Sequence, residues 1–162
     1  MAIYMNFNNK AIKGNVTAAG YEDWIELDSL NFGNGRGITM EVGNMANREA
    51  SRPSMSEVSV SKMMCNASGG LFKESLTGVE GVKVIIDIVQ TGAKQVEKYA
   101  SYTLEDVLIS SYSVNASGGS APHETLSMSY AKLIADLQGA DKTNKNGKNM
   151  KVGYDLTTGK PQ

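Results

Sequence analysis

The sequence predicts a mostly β fold with one short helix and one long loop that contains glycine and arginine. Apolar and polar residues alternate with a period of two along several segments, which is typical of half-buried strands. Turn residues such as Thr91-Gly92 and Asn146-Gly147 separate these segments. Because the chain has 162 residues and domains commonly have about 100–150, we expect a single domain over residues 1–162.

The period-two alternation places the strands along the chain. The alternating segments lie at 3–7, 58–61, 126–130 and 150–156, and longer β-rich stretches lie at 24–32 and 103–114. Segment 82–89 is different because it is apolar on one face and partly apolar on the other. It needs cover on both faces, which predicts either a core strand or a strand at a subunit interface. Its apolar residues are Val82, Val84, Ile85, Ile86, Ile88 and Val89.

Residues 68–78 interrupt the strand pattern and predict a short helix. Ser68 is expected to cap its N-terminus, and Gly78 is expected to end it in the left-handed conformation. Gly69 and Gly70 lower its intrinsic stability, so docking on the sheet must stabilise it. The expected docking residues are Leu71, Phe72 and Leu76.

Residues 33–55 form the predicted long loop. The segment contains few β-branched residues and holds all three arginines of the chain, Arg36, Arg48 and Arg52. A loop of this length in a compact domain is usually functional or disordered. We therefore keep two interpretations of this segment: a contact surface, or a mobile, solvated loop.

Composition excludes several classes of function. Sixteen Lys and Arg against seventeen Asp and Glu give a net charge of −1. The chain therefore has no overall positive electrostatic potential that would attract nucleic acid or an anionic membrane. One cysteine, Cys65, and one histidine, His123, exclude a disulfide framework and the usual zinc sites. We therefore expect no metal and no cofactor, and we interpret Cys65 as a buried small apolar residue.

Motifs for catalysis are also missing from the sequence. The glycines at 33–37 lack the continuation of a phosphate-binding loop. His123 follows Pro122 in a predicted turn, and no serine lies in a nucleophile elbow. We expect no enzyme. The N-terminus also lacks the basic and apolar regions of a cleaved signal, so we expect synthesis in the cytoplasm and, if the protein is exported, export without a cleaved signal.

Three segments, taken in order, resemble the haemolysin-coregulated protein (Hcp) family, the inner-tube protein of bacterial type VI secretion systems. The first is Ile12-Lys-Gly14 followed by DWIELDSLNFG at 23–33. The second is VSVSK at 58–62 with the predicted helix and Gly78. The third is YASYTLEDVLISSY at 99–112, Gly118-Gly119 and ETLSMSYAK at 124–132, similar to the family's Y-L-x-x-x-L-x-x-V-L-V-S-S-Y, G-G and E-x-x-x-L-x-x-A-K. The chain departs from the family at Cys65 and Gly69, where Asp and Pro are common.

The resemblance implies a two-sheet β-barrel with a flanking α-helix. It also implies that six copies close into a ring and that the rings stack into a tube inside a contractile sheath. The implied partners are a spike protein (VgrG), the sheath and effector proteins held in the lumen. No catalytic group and no C-terminal extension domain are implied, and the protein would be secreted into the extracellular space or a target cell.

The resemblance also assigns roles to residues. By register, Asn31 takes the position of a small polar residue that faces the lumen, and Ser29 lies on the same strand face. We assign Arg36, Arg48 and Arg52 to contacts between stacked rings. Two other functions stay open from the residues alone: a monomeric β-barrel that binds a small apolar ligand, and a hydrolase that uses His123 with a serine.

Overall fold

A computed structural model describes residues 1–39, 42–43, 51–91, 96–139 and 148–162. The described residues form twelve strands and one helix. In chain order these are β1 Ala2–Phe7, β2 Ile25–Leu27, β3 Ser29–Asn31, β4 Asn34–Gly35, β5 Ser54–Met55, β6 Val58–Met63, α1 Ser68–Thr77, β7 Val82–Thr91, β8 Val96–Asn115, β9 His123–Ser129, β10 Lys132–Leu137, β11 Met150–Asp155 and β12 Lys160–Pro161.

Two antiparallel sheets share the twenty-residue strand β8. The first sheet has the order β12-β11-β10-β8-β7-β1-β2. The second sheet has the order β3-β6-β9-β8. Strand β8 pairs with β10 up to Glu105 and with β7 up to Val107, and it pairs with β9 from Leu108 onward. Asp106 has a φ of 54° just before this change of partner, so the chain bends there from one sheet into the other.

The predicted mostly β fold with one short helix is confirmed, but the sheets do not close into a barrel. Strand β2 pairs with β1, and β3 pairs with β6. The chain changes partner at Asp28, whose N–H donates to the carbonyl of Ser61 at 2.7 Å. β2 and β3 have only three residues each, and each pairs with a different sheet. The described strands therefore leave the two sheets open, and the sheets face each other.

The main core lies between the two sheets and beneath α1. Alternate residues of the strands point inward, as the period of two requires. The buried members include Met5, Phe7, Val58, Val60, Val84, Ile86, Leu104, Leu126 and Met128, together with Leu71 from the helix. Packed side chains therefore fill the space between the sheets.

Strand β7 is a core strand with cover on both faces. Val84, Ile86 and Val89 are buried, and Val82, Ile85 and Ile88 are half-buried. The second face carries Ile85 and Val89, which pack in a small cluster with Tyr21 and Trp24. The chain itself thus supplies the second cover, through the segment that precedes β2. Within that segment Gly14 lies against Trp24, where a Cβ would meet the carbonyl oxygen at 2.1 Å, which explains the glycine.

The predicted helix is confirmed, but only part of its predicted docking is. Leu71 is fully buried in the main core, whereas Phe72 and Leu76 are 49% and 70% exposed. The Phe72 ring stacks on Tyr112 of β8 at a centroid distance of 5.1 Å. Docking through Leu76 is a wrong prediction, because this side chain is largely exposed. Phe72 docks in part, through its stacking on Tyr112.

The predicted N-cap is wrong, and the predicted C-cap is right in position but wrong in conformation. The N-cap is Ala67, which makes no side-chain cap bond. Ser68 lies inside the helix, and its hydroxyl accepts from the N–H of Cys65 at 3.0 Å. Gly78 ends the helix with a φ of −68°. Glycine fits there for another reason, since a Cβ would lie 2.7 Å from the carbonyl oxygen of Glu74.

Candidate functional site

The outer face of the second sheet presents small hydroxyl and amide side chains in register. Asn31, Ser59, Ser127 and Ser111 form one row across the four strands. Ser29, Ser61, Thr125 and Ser113 form the next row. We call these eight residues the serine-rich face.

The sequence builds this face through simple alternation. Along β6 and β9 every second residue points inward, and most of these are large apolar residues that enter the core, such as Val60 and Leu126. The intervening serines and threonine therefore point outward. The hydroxyls bond to one another across strands: Ser29 and Ser61 Oγ lie 2.6 Å apart, and Ser59 and Ser127 Oγ lie 3.2 Å apart. The result is a polar surface whose eight members carry no charge.

The structure places the two predicted lumen residues on this face. Asn31 and Ser29 both lie on β3, and both are exposed. Sequence reasoning missed the remaining six members on β6, β8 and β9. The signal was present in VSVS at 58–61, SSYS at 110–113 and LSMS at 126–129, where serine fills the polar half of the alternation.

Charged groups border the serine-rich face. At one end, His123 Nδ1 lies 3.3 Å from Asp28 Oδ2, and both side chains are about half exposed. At the other end, the Ser110 hydroxyl donates to Glu57 Oε2 at 2.7 Å. Within the described residues, no serine hydroxyl hydrogen bonds to His123, and His123 begins β9 instead of lying in the turn before it. The geometry gives the hydrolase hypothesis no support.

A buried polar cluster lies between the second sheet and α1. Lys62 and Glu124 are cross-strand partners, both fully buried, with Nζ and Oε2 2.5 Å apart. The Ser68 hydroxyl donates to the same oxygen at 2.8 Å, and the Tyr112 hydroxyl donates to Oε1 of Glu124. Burial raises the pKa of Glu124, but the hydrogen bonds from these donors outweigh it and lower the pKa overall. Burial, and then the bond to Glu124, raises the pKa of Tyr112 to about 12.

The sequence analysis did not identify this cluster, although the alternation of apolar and polar residues places both charged residues on the inward face. Lys62 continues the inward phase of Val58 and Val60, and Glu124 precedes the inward Leu126 by two residues. A charged residue in the inward phase of a strand needs a buried partner of opposite charge. The partner could not be identified until the register paired β6 with β9.

The predicted loop 33–55 is only partly described. Its two ends form a ribbon in which β4 pairs with β5, and Gly37 and Ser51 exchange hydrogen bonds of 2.9 Å. Arg36 and Arg52 are exposed on this ribbon. The guanidinium of Arg52 lies against the turn at Gly159, where a Cβ would be 3.4 Å from Nη1. Arg48 lies outside the described residues.

Metal ligands of the usual kinds do not converge in the part of the chain that the structure describes. No group there brings together three or more His, Cys, Asp or Glu side chains. Cys65 is half-buried and packs partly against the main core. In the described residues, no helix is long and apolar enough to cross a bilayer.

Comparison with known proteins identifies the family. A family model described as "Type VI secretion system effector, Hcp" matches residues 4–136. The chain belongs to the Hcp family. Hcp is a structural, secreted tube protein of type VI secretion, which agrees with the absence of catalytic motifs from the sequence. No curated protein gives a significant match.

Solved structures share the Hcp fold over almost the whole chain. A structure described as that of a type six secretion system protein is 26% identical, covers 99% of both chains and has a TM-score of 0.87. Hcp1 from Salmonella typhimurium is 21% identical over 99% of this chain and 98% of its own, with a TM-score of 0.76. A type VI secretion system effector from Yersinia pestis is 17% identical over 94% of this chain and 98% of its own, with a TM-score of 0.70.

Proposed function

We propose that this Hcp protein forms six-membered rings that stack into a tube, and that the serine-rich face lines the lumen and carries effector proteins. The observation that carries this proposal is the width of the face. Eight small uncharged side chains cover four strands, and the opposite side of the same strands packs in the core. Such a face offers many weak hydrogen bonds and no strong specific one, which suits a wall that holds different cargo proteins.

Exposed apolar side chains support self-association. The core-facing side of the first sheet extends beyond the core and carries Leu137, Met150 and Val152 there. Leu137 pairs with Met150, and Val152 pairs with the buried Ala135. Leu137, Met150 and Val152 are 37%, 64% and 46% exposed. Contiguous apolar surface of this kind marks an interaction site, and a head-to-tail contact that closes into a ring would cover it in every copy. The number six comes from the family resemblance alone.

The remaining partners follow from the same resemblance. We propose a spike protein (VgrG) at the tip of the tube, a contractile sheath around it and contacts between stacked rings through Arg36, Arg48 and Arg52. The alternative function, a monomeric carrier of a small apolar ligand, has less support. Side chains of the main core already fill the space between the sheets.

Substitution of Asn31 tests the lumen assignment. Asn31→Glu and Asn31→Gln should leave ring formation normal and stability within about 0.5 kcal/mol of the parent, because the side chain is exposed. Both variants should lower co-purification and export of effectors, since one substitution is repeated in every subunit that contacts the cargo. Gln162→Glu is the matched control, because it adds the same charge beyond the edge strand of the other sheet.

Two outcomes would count against the assignment. Rings that fall apart in the Asn31 variants would place this residue at a subunit interface. Effector retention equal to that of the Gln162→Glu control would place it away from the lumen wall.

A further inference from the structure

A cavity with two carboxylates and two thioethers in its wall opens at the end of β6. Its volume is about 250 Å³, far above the roughly 10–15 Å³ that one water molecule needs. It is lined by Asn15, Glu26, Asp28, Met63, Met64 and Cys65. The two methionines are 49% and 48% exposed. Such a wall suits a long basic side chain, because the stem of that side chain packs on apolar surface while its head binds carboxylates.

Both carboxylates can accept further hydrogen bonds from a partner. Glu26 is the exposed residue between the buried Ile25 and Leu27 of β2. Within the residues that the structure describes, Glu26 is in no ion pair. Asp28 uses Oδ2 to contact Nδ1 of His123 at 3.3 Å. Because a carboxylate offers about four acceptor positions, a guanidinium can bind Glu26 and Asp28 together.

A matching basic side chain lies on the ribbon formed by β4 and β5. Arg36 is exposed there, between β4 and Gly37. The N–H of Gly37 donates to Oγ of Ser51 at 2.9 Å. This bond and the β4–β5 pair hold the backbone on both sides of Arg36. In the described part of the chain no ion pair involves Arg36, so its guanidinium is presented to solvent from a paired segment.

The ribbon and the cavity lie at opposite ends of the same two strands. Strand β6 begins at Val58, just after the ribbon, and ends at Met63 in the cavity wall. The antiparallel β3 begins just after Asp28 and leads into the ribbon at Asn34. Six residues of strand span about 20 Å, so two copies placed end to end bring the ribbon of one to the cavity of the other. A contact between two different surfaces can repeat from copy to copy, which is the geometry of a stack.

We propose that Arg36 of a subunit in one ring inserts into the cavity of a subunit in the next ring and binds Glu26 and Asp28 there. This pair rests on the proposed function, since it needs stacked rings, and it assigns the surface that accepts the arginine. The arginine stem would cover Met63 and Met64, which are half exposed in the single chain. Every subunit repeats the pair, so a modest attraction per copy is enough to hold two rings together.

Charge reversal tests the pair. Arg36→Glu and Glu26→Arg should each leave rings intact in native mass spectrometry. Each should lower the fraction of protein in tubes, measured by sedimentation and negative-stain electron microscopy, by about 10-fold or more, because every repeated pair becomes repulsive. The double variant Arg36→Glu/Glu26→Arg should recover at least about half of the parent's fraction, since it restores opposite charges. Lys73→Glu is the matched control, because it reverses an exposed charge on α1 and should leave tubes unchanged.

The outcomes separate this pair from the proposed function. Parent rings that form no tubes would overturn stacking itself, and with it both the proposed function and the pair. Parent tubes that persist in Arg36→Glu as they do in the Lys73→Glu control would overturn the pair alone. Rings that fall apart in Arg36→Glu or Glu26→Arg would also overturn it, because the contact would then lie within a ring. Recovery in the double variant cannot come from misfolding of the single variants, so it would support the pair directly.

Discussion

Lys62 and Glu124 form a fully buried ion pair that joins β6 to β9 beneath the helix. Removing one partner leaves the other charge buried without compensation, which typically costs about 3–5 kcal/mol. We expect Lys62→Met to lower the free energy of unfolding by that amount in urea denaturation. Lys13→Met is the matched control because the Lys13–Asp23 pair is exposed, and it should cost at most about 1 kcal/mol. Equal effects of the two substitutions would contradict the role of the buried pair.

The same pair makes stability depend on pH. The hydrogen bonds at Glu124 hold its folded-state pKa below the ordinary value of 4.5. A carboxyl of this kind stabilises the fold above its unfolded-state pKa, and this contribution is lost as pH falls through the folded-state pKa. We expect the parent's unfolding free energy to decline below about pH 5. The decline should be shallower in Lys62→Met/Glu124→Gln, which keeps an acceptor for Tyr112 and Ser68.

At the scale of elements, α1 depends on one buried apolar side chain. Leu71 is fully buried, so Leu71→Ala should lower the free energy of unfolding by about 2–5 kcal/mol through cavity formation. Phe72→Ala should cost clearly less in the isolated chain, because that ring is half exposed and rests on Tyr112. Chemical denaturation of the two variants side by side measures the difference. Similar losses would show that the helix docks through both residues.

The elements show which features of the fold were accessible from the sequence. Alternation predicted the strands, because one buried face imposes a period of two. The family resemblance, and not the alternation, selected Asn31 and, on the same strand face, Ser29. The cap at Ser68 was predicted wrongly, because the Ser68 hydroxyl donates to a tertiary partner, Glu124, and accepts from the N–H of Cys65 just before the helix. Strand pairing could not be read from the pattern, since nothing local identifies Asp28 as the residue where the chain changes partner.

At the scale of the molecule, the sequence predicted the family but not how β7 is covered. Because segment 82–89 has two apolar faces, the sequence allowed either a strand at a subunit interface or a core strand. The structure shows a core strand, whose second face is covered by Tyr21 and Trp24 of the same chain. Exposed apolar surface lies instead on β10, β11 and the outer side of α1. Identifying it required knowledge of where each sheet extends beyond the core.

The arginine-containing loop gives a test of stacking. Replacing Arg36, Arg48 and Arg52 by Ser should leave rings intact and reduce tube growth and secretion, because the loop is proposed to contact the next ring. A control with Lys73, Lys83 and Lys160 replaced by Ser removes the same charge from other exposed positions. Electron microscopy of tubes and assays of secreted protein report the outcome. Secretion equal to that of the control would assign the segment to a solvated loop.

The central claim is that this Hcp protein assembles into closed rings, and native mass spectrometry of the purified chain at micromolar concentration tests it most directly. We predict a dominant species of six copies of the 17.3 kDa chain. The same species should persist in size-exclusion chromatography at high salt, because apolar contacts are little screened. A uniform 17.3 kDa monomer under both conditions would contradict the claim.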